Sequence, residues 1–312
     1  MRSGSGSSFG HRNDTRENPP AAGGGTWLRC GVRAIPVPVN FLGLRLQLQS
    51  QLGTFLPPDE ALAESWRWFE DGLGRNRTWL MAHGEEAASQ EDEQQLGTWL
   101  GRRRTGEPWA YILGWTLWRG RRFEVTRDTL IPRPETELVL EAALDVGRRL
   151  GVFHACDVGT GSGILGVTLA LETDWKVVAS DISRKALKVA RRNADNLGAR
   201  LMFFEGSLLG PLHDPVGLVV SNPPYVDPDD RPSLQRELAW EPEGALFATD
   251  HGLAVATALL REARVRSAPG VVLEIGAGQG QELNSRANAM GWRNLMIHKD
   301  FAGHDRVLVA LA

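Results

Sequence analysis

Asn222-Pro223-Pro224-Tyr225 is the stretch whose residue types and spacing make a specific chemistry available. Asn222 brings a side-chain carbonyl oxygen, and Pro223 brings a main-chain carbonyl on a residue without an N–H. Two acceptors held together on a rigid Pro-Pro backbone suit one kind of ligand group, a planar –NH2 with two hydrogens to place. Such a nitrogen is a poor nucleophile because its lone pair is delocalised. Fixing both hydrogens while aiming the nitrogen at an electrophile is catalysis by position and by oriented dipoles. Tyr225 would add a flat face or a hydroxyl beside that group. The competing structural reading is a Pro-Pro turn capped by Asn.

The elements around this stretch favour the chemical reading. Gly217-Leu218-Val219-Val220 reads as a short buried strand, and two prolines cannot continue its ladder. The motif therefore lies just past the carboxyl end of a strand, the edge at which open α/β sheets bind ligands. Upstream, Asp157-Val158-Gly159-Thr160-Gly161-Ser162-Gly163 joins a strand at 154–158 to a helix at 163–171. Its glycines permit a tight turn and close approach of backbone to a ligand. Asp181 ends the next strand, about 20 residues on, where a carboxylate can bind both ribose hydroxyls. The spacing is G-x-G-x-G and lacks the third glycine inside the helix that serves a dinucleotide pyrophosphate. A nucleoside without phosphates, such as S-adenosylmethionine, fits better. A second loop, Gly276-Ala277-Gly278-Gln279-Gly280, also follows a strand and has Asp300 beyond it. Only twelve residues follow Asp300, too few for a further half-sheet, so this loop reads as a strand-to-helix turn.

Strand and helix signals alternate from residue 154 onward. Strands are expected at 154–158, 176–180, 201–205, 217–220, 271–275, 295–298 and 307–310, with helices between them. This predicts a parallel, doubly wound, Rossmann-like α/β sheet. The short link at 299–306 makes the last two strands an antiparallel pair. A helix is expected behind Pro134, whose ring suits a first turn, with Glu135 and Glu137 at its positive end. Residues 115–125 alternate around Arg119-Gly120 as a hairpin. Before it lies a helical module. Leu62, Trp66, Phe69 and Leu73 recur at helical spacing behind Pro57-Pro58-Asp59, and Ser89-Gln90-Glu91-Asp92 resembles a capping box. Seven of the eleven tryptophans fall between Trp66 and Trp118, as core for a small module or as a docking face for a protein partner. Residues 1–25 are rich in Gly, Ser, Pro and Arg and read as a tail. The expected domains are thus a disordered extension at 1–50, a helical substrate-docking domain at 51–114, a hairpin linker at 115–133 and a catalytic domain at 134–312.

Composition removes several classes of function. The chain has 312 residues and a formal charge of -3, so no basic field draws it to nucleic acid. No stretch approaches the roughly 20 apolar residues of a membrane span. Cys30 and Cys156 have no motif partner and the seven histidines no ligand-like spacing, which argues against disulfides and against a metal site. A reducing, cytoplasmic location and a monomer are expected.

Together these residues resemble the PrmC/HemK family, the glutamine-N5 methyltransferases of peptide chain release factors. The resemblance runs from about residue 96 to 312. It is carried by Gly106-Glu107-Pro108 with Ala110-Tyr111-Ile112-Leu113-Gly114, and by Ile131-Pro132-Arg133-Pro134-Glu135-Thr136-Glu137. The glycine loop, Asp181-Ile182-Ser183, Ser221 to Tyr225, Leu273-Glu274-Ile275-Gly276 and Asp300-Phe301-Ala302-Gly303-His304-Asp305-Arg306 continue it. The resemblance implies a class I methyltransferase domain behind a small helical domain that helps hold a class I release factor. Methyl would pass from S-adenosylmethionine to the glutamine of the factor's Gly-Gly-Gln loop. Gly159, Thr160, Gly161, Ser162 and Gly163 would hold the methionine end, Asp181 the ribose and Ile182 an adenine face. Asn222, Pro223, Pro224 and Tyr225, with Arg133, would hold the substrate, and Asn222 would also border the cofactor. Ser207-Leu208 occupies a place where the family commonly has an acid toward the adenine amino group. A serine there can accept a hydrogen bond without a charge. Two other functions compete. An adenine-N6 nucleic-acid methyltransferase would need a basic face, whereas the segment after Tyr225 carries Asp227, Asp229 and Asp230 against Arg231 and Arg236. A non-catalytic S-adenosylmethionine binder would have no use for the Asn222 and Pro223 acceptors.

Overall fold

The computed structural model describes residues 39–213 and 216–312. The expected extension at 1–50 is corrected where it can be compared. Phe41–Leu52 forms helix α1, with Asn40 Oδ1 accepting the Gly43 N–H at 2.8 Å as a cap. Phe41, Leu44, Leu48 and Leu52 lie along one face and are buried. Each such side chain contributes about 1.5–3 kcal/mol, so α1 belongs to the core of the helical module. Residues 1–38 of that expectation lie outside the described residues.

Helix α2 (Pro58–Arg67) starts on a proline with Asp59 and Glu60 in its first turn, then continues as a single π-helical turn, Trp68–Gly72. That turn changes which face is buried. Leu62 is exposed and Trp66 half-buried, while Ala61, Ser65, Trp68 and Phe69 point inward. The expected Leu62–Trp66 stripe is therefore corrected, because the wider turn brings two successive aromatics into the core. Helices α3 (Arg77–His83), α4 (Gln90–Arg104) and α5 (Trp109–Leu113) complete the module. Ser89 Oγ caps α4 by accepting the Asp92 N–H. Trp68 stacks on Trp109 with centroids 4.6 Å apart, and Trp99 meets both edge-on. These three rings fill the centre of the module.

The hairpin β1 (Trp115–Trp118) and β2 (Arg121–Glu124) turns through Arg119 and Gly120, both at positive φ, as a two-residue primed turn requires. Helix α6 (Thr136–Leu150) leads into the sheet: β3 (His154–Val158), β4 (Lys176–Asp181), β5 (Met202–Glu205), β6 (Leu218–Ser221), β7 (Gly270–Glu274), β8 (Asn294–Lys299) and β9 (Asp305–Leu311). Between strands run α7 (Ile164–Glu172), α8 (Arg184–Leu197), the short α9 (Glu243–Leu246), α10 (Ala254–Val265) and α11 (Gly280–Ala289). Strand order is β5-β4-β3-β6-β7-β9-β8, with β3 to β7 parallel and β9 antiparallel to both its neighbours. Alternate strand residues feed opposite cores, as a period of two demands. Val219, Val271 and Leu273 pack with α10 and α11, and Leu218, Val220 and Val272 pack with α6 and α7. The sheet is doubly wound, and its order reverses between β3 and β6, where a crevice opens at the carboxyl ends. Arg103, almost wholly buried at the end of α4, pairs with Glu64 at 2.8 Å and with Glu237 at 3.0 Å. It ties the helical module to the segment that follows β6.

Candidate active site

The glycine loop after β3 is built for close backbone approach. Gly159, Gly161 and Gly163 all have positive φ (70°, 57° and 86°), which L side chains adopt at a cost. At Gly163 a Cβ would also meet Ala190 of α8. Asp181 at the end of β4 braces the loop, with Oδ2 accepting the Gly161 N–H at 2.9 Å and Oδ1 the Ser183 N–H at 2.8 Å. Burial raises its pKa against the pull of those two donors. Asn193 in α8 donates to the carbonyls of Ser162 and Glu124 and accepts the Glu124 N–H, so the hairpin and the loop share one anchor.

Asp157, one residue before the end of β3, is fully buried. Its Oδ2 accepts from Thr160 Oγ1 at 2.6 Å and from the Gly166 N–H at 2.7 Å. Its Oδ1 has no partner among the described residues. Burial pushes this carboxyl up to about 6, against the two donors. A buried carboxylate oxygen without a donor is costly.

A cavity of about 660 Å³ opens at this crevice. Asp157, Gly159, Thr160, Gly161, Ser162, Asp181, Ile182, Ser207, Leu208, Asn222, Pro223 and Pro224 all line it. Ile182 is largely exposed there. Leu208 has φ of 49°, a strained value for a branched side chain, and its carbonyl accepts from Ser180 Oγ. The opposite wall is apolar and comes from Pro242, Ala245 and Phe247 around α9 and from Ala254 and Val255 in α10. Of the residues expected at the site, Gly163, Tyr225 and Arg133 do not line the cavity. Gly163 acts as the positive-φ cap of α7. The hydroxyl of Tyr225 donates to Glu274 Oε1 at 3.2 Å. The guanidinium of Arg133 pairs with Glu241, a buried carboxylate that also accepts the Ile131 N–H. The Tyr225 hydroxyl and the Arg133 guanidinium are thus each engaged by a buried carboxylate, Glu274 and Glu241.

Asn222 is held from behind. Its Nδ2 donates to Thr136 Oγ1 at 3.2 Å, and Thr136 Oγ1 donates to Glu274 Oε2 at 2.7 Å. Asn222 Oδ1 and the Pro223 carbonyl accept no hydrogen bond among the described residues. Gln279 of the second glycine loop donates to the Tyr225 carbonyl at 2.9 Å and to the His251 carbonyl, while its Oε1 accepts the Gly276 N–H. Thr136, Glu274 and Gln279 lie in segments quoted from the sequence but were given no site role there, and Glu241 was not singled out. The available signal was a lone carboxylate ending the apolar run Val271-Val272-Leu273-Glu274.

Two families match parts of the chain: the PrmC N-terminal domain at residues 51–114 and the methyltransferase small domain at residues 146–246. A release factor glutamine methyltransferase of Enterococcus faecalis is 37% identical over 250 residues, spanning 78% of this chain and 89% of that one. One from Neisseria gonorrhoeae is 41% identical, spanning 74% of this chain and 86% of that one. The chain belongs to the release factor glutamine methyltransferase family. Among solved structures, the hMettl16 catalytic domain in complex with a MAT2A 3'UTR hairpin aligns over 82% of this chain and 91% of its own, with a TM-score of 0.52 at 15% identity. That likeness is one of fold alone, a class I methyltransferase fold. The family takes its methyl group from S-adenosylmethionine, and the cavity fits such a ligand. The positive-φ glycines Gly159 and Gly161 leave an open backbone wall, and the unpartnered Asp157 Oδ1 suits a cationic ammonium.

Proposed function

We propose that this protein transfers a methyl group from S-adenosylmethionine to the side-chain amide nitrogen of the glutamine in the Gly-Gly-Gln loop of class I release factors. Membership of the release factor glutamine methyltransferase family fixes the reaction class. The observation that carries the residue assignment is the polarity of Asn222, whose Nδ2 is committed to Thr136 while its Oδ1 is left beside the Pro223 carbonyl. S-adenosylmethionine supplies a sulfonium-activated methyl group when bound. Gly159, Thr160, Gly161, Ser162 and Asp157 would hold its methionyl end, Asp181 its ribose, and Ile182, Ser207 and Leu208 its adenine. Asn222 Oδ1 accepts one hydrogen of the substrate amide and the Pro223 carbonyl the other, which aims the nitrogen lone pair along the transfer direction. As positive charge develops on nitrogen, both acceptors bind more tightly, so they act on turnover rather than on binding. The nitrogen's proton can leave to water after transfer, and no strong base is needed beforehand. Pro224 and the apolar wall line the rest of the cavity.

The domain roles follow in the same proposal. Residues 51–114 dock the factor, 115–133 link, and 134–312 catalyse. A monomer in a reducing cytoplasm, without sequence-specific nucleic-acid contact, agrees with the net charge of -3 and the acidic Asp227, Asp229 and Asp230. No helix among the described residues is long and apolar enough to cross a membrane. The test is incubation with S-adenosylmethionine and a purified class I factor, with DNA and RNA in parallel. Mass spectrometry should find one methyl on the Gly-Gly-Gln peptide. Methylated nucleic acid with an unmodified factor would overturn the reading.

A further inference from the structure

We infer that Glu274 is a positioning residue that sets the polarity of the Asn222 carboxamide through Thr136. This rests on the reading of Asn222 as an acceptor for the substrate amide.

An amide side chain can present either its oxygen or its –NH2 to a cavity, and the two orientations have nearly the same shape. At this site only the oxygen is useful, because a donor facing the substrate –NH2 would repel it. Some neighbour must therefore select the orientation. An ionised carboxylate accepts and cannot donate. Glu274 Oε2 therefore draws the single hydroxyl hydrogen of Thr136 toward itself, at 2.7 Å. With that hydrogen committed, Thr136 Oγ1 offers Asn222 only lone pairs. Asn222 meets it with Nδ2, and Oδ1 is left for the cavity. Tyr225 donates to the other carboxylate oxygen at 3.2 Å, so the same group holds both ends of the Asn-Pro-Pro-Tyr turn. Thr136 and Glu274 are each 1% exposed, so bulk water does not substitute for either partner.

The arrangement is expensive, which argues that it is not there for stability. Glu274 lies at the end of β7 with no hydrogen-bonded cation among the described residues, and burial pushes its carboxyl up to about 7. The groups that face it are Glu135 and Thr136, ahead of and at the start of α6, Tyr225 after β6, and Arg306 on β9. Thr136, Tyr225 and Arg306 favour the ionised form, and Glu135 opposes it. Arg306 is itself paired with Asp300 at 3.0 Å. A carboxyl raised above its unfolded value of about 4.5 costs stability progressively as pH rises through that value toward 7. At about pH 8 the protein carries that cost in full.

Glu274→Gln keeps the shape and removes the charge. Its amide can donate to Thr136 Oγ1, which frees the hydroxyl hydrogen to turn toward Asn222 and favours the inverted carboxamide. Methyl transfer to a class I factor should be followed with the full chain from about pH 6 to 9, beside thermal melts. The wild-type kcat should rise to a plateau with a midpoint near 7. Glu274→Gln should lower kcat at about pH 8 by about 10-fold or more, leave KM for the factor nearly unchanged and flatten the inflection. Its Tm at that pH should equal or exceed wild type. Thr136→Val should reproduce the kcat loss, and Thr136→Ser, which keeps the hydroxyl, should recover it to within about 3-fold of wild type. A wild-type kcat in Glu274→Gln, with Asn222→Ala impaired, overturns the polarity role alone. A lower Tm in Glu274→Gln, with Thr136→Ser as poor as Thr136→Val, makes Glu274 a packing residue and also overturns it. A wild-type kcat in Asn222→Ala removes the acceptor reading and this inference with it.

Discussion

The two glycine loops share a pattern and differ in everything that makes a site. Both follow a buried strand, both precede a helix and both space their glycines as G-x-G-x-G. In the loop after β3 all three glycines have positive φ, and at Gly159 and Gly161 nothing lies within 4 Å of where a Cβ would be. Their freedom is conformational and opens a wall onto a cavity. In the loop after β7 only Gly278 has positive φ. A Cβ on Gly280 would collide with the Asp305 carboxylate, and one on Gly276 would crowd Gln279. Those glycines make room for neighbouring protein. The carboxylates beyond each loop differ as well. Asp181 sits at the cavity, whereas Asp300 accepts the N–H groups of Ala302 and His304 and pairs with Arg306 inside its own turn. Position in the sheet decides between them. β3 borders the reversal in strand order, and β7 does not. A glycine pattern therefore reports a tight approach, and topology determines whether the approaching partner is a ligand or the protein itself.

The comparison can be broken most directly at Asn222, which faces the first loop across the crevice. Asn222→Ala should lower kcat by about 100-fold with little change in cofactor Kd. A rise in KM at unchanged kcat would make the residue a binding contact. Next in size is the pair Asp181→Ala and Asp300→Ala. The first should weaken S-adenosylmethionine binding by about 1.5–3 kcal/mol, the value of a hydrogen bond to a charged group. The second should leave calorimetric affinity unchanged and lower Tm through the loss of its turn. Reversed results would move the cofactor to the second loop. The smallest effect belongs to Gln279→Ala, which removes donors to the Tyr225 and His251 carbonyls. At about 0.5–1.5 kcal/mol per neutral bond, it should lower kcat a few-fold and Tm slightly, with cofactor Kd unaltered. An altered Kd would show that the second loop does more than support the first.

Where local pattern governs, the chain was readable. Strand β3 falls at the expected residues, Ser183 and Gly198 bound α8 as cap residues should, and the hairpin turns at Arg119-Gly120. The order β7-β9-β8 was not readable, although the antiparallel pairing of the last two strands was. Helix α1 was lost because the composition of residues 1–25 coloured everything up to residue 50, although Phe41, Leu44, Leu48 and Leu52 form a helical stripe. The burial face of α2 was misread because no periodic template contains a π turn. At the site, the cavity-lining residues of the glycine loop and of the Asn-Pro-Pro turn were legible because each motif is contiguous. The roles of Thr136, Glu274 and Glu241 were not, because they meet Asn222, Tyr225 and Arg133 across 49 to 108 positions of sequence.

The place of β9 has a consequence for synthesis. β9 lies between β7 and β8 and supplies the whole second ladder of β7, from Gly270 paired with Leu311 to Glu274 paired with Val307. A nascent chain emerging in order therefore shows Val271, Val272 and Leu273 as an apolar strand with one open edge until residues 305–311 follow. Open apolar edges recruit other strands. A ribosome stalled before residue 305 would hold a chain whose β7 is an aggregation template and whose Glu274 lacks its β9 neighbours. The carboxylate behind Asn222 thus reaches its final surroundings only after residues 305–311 have been translated.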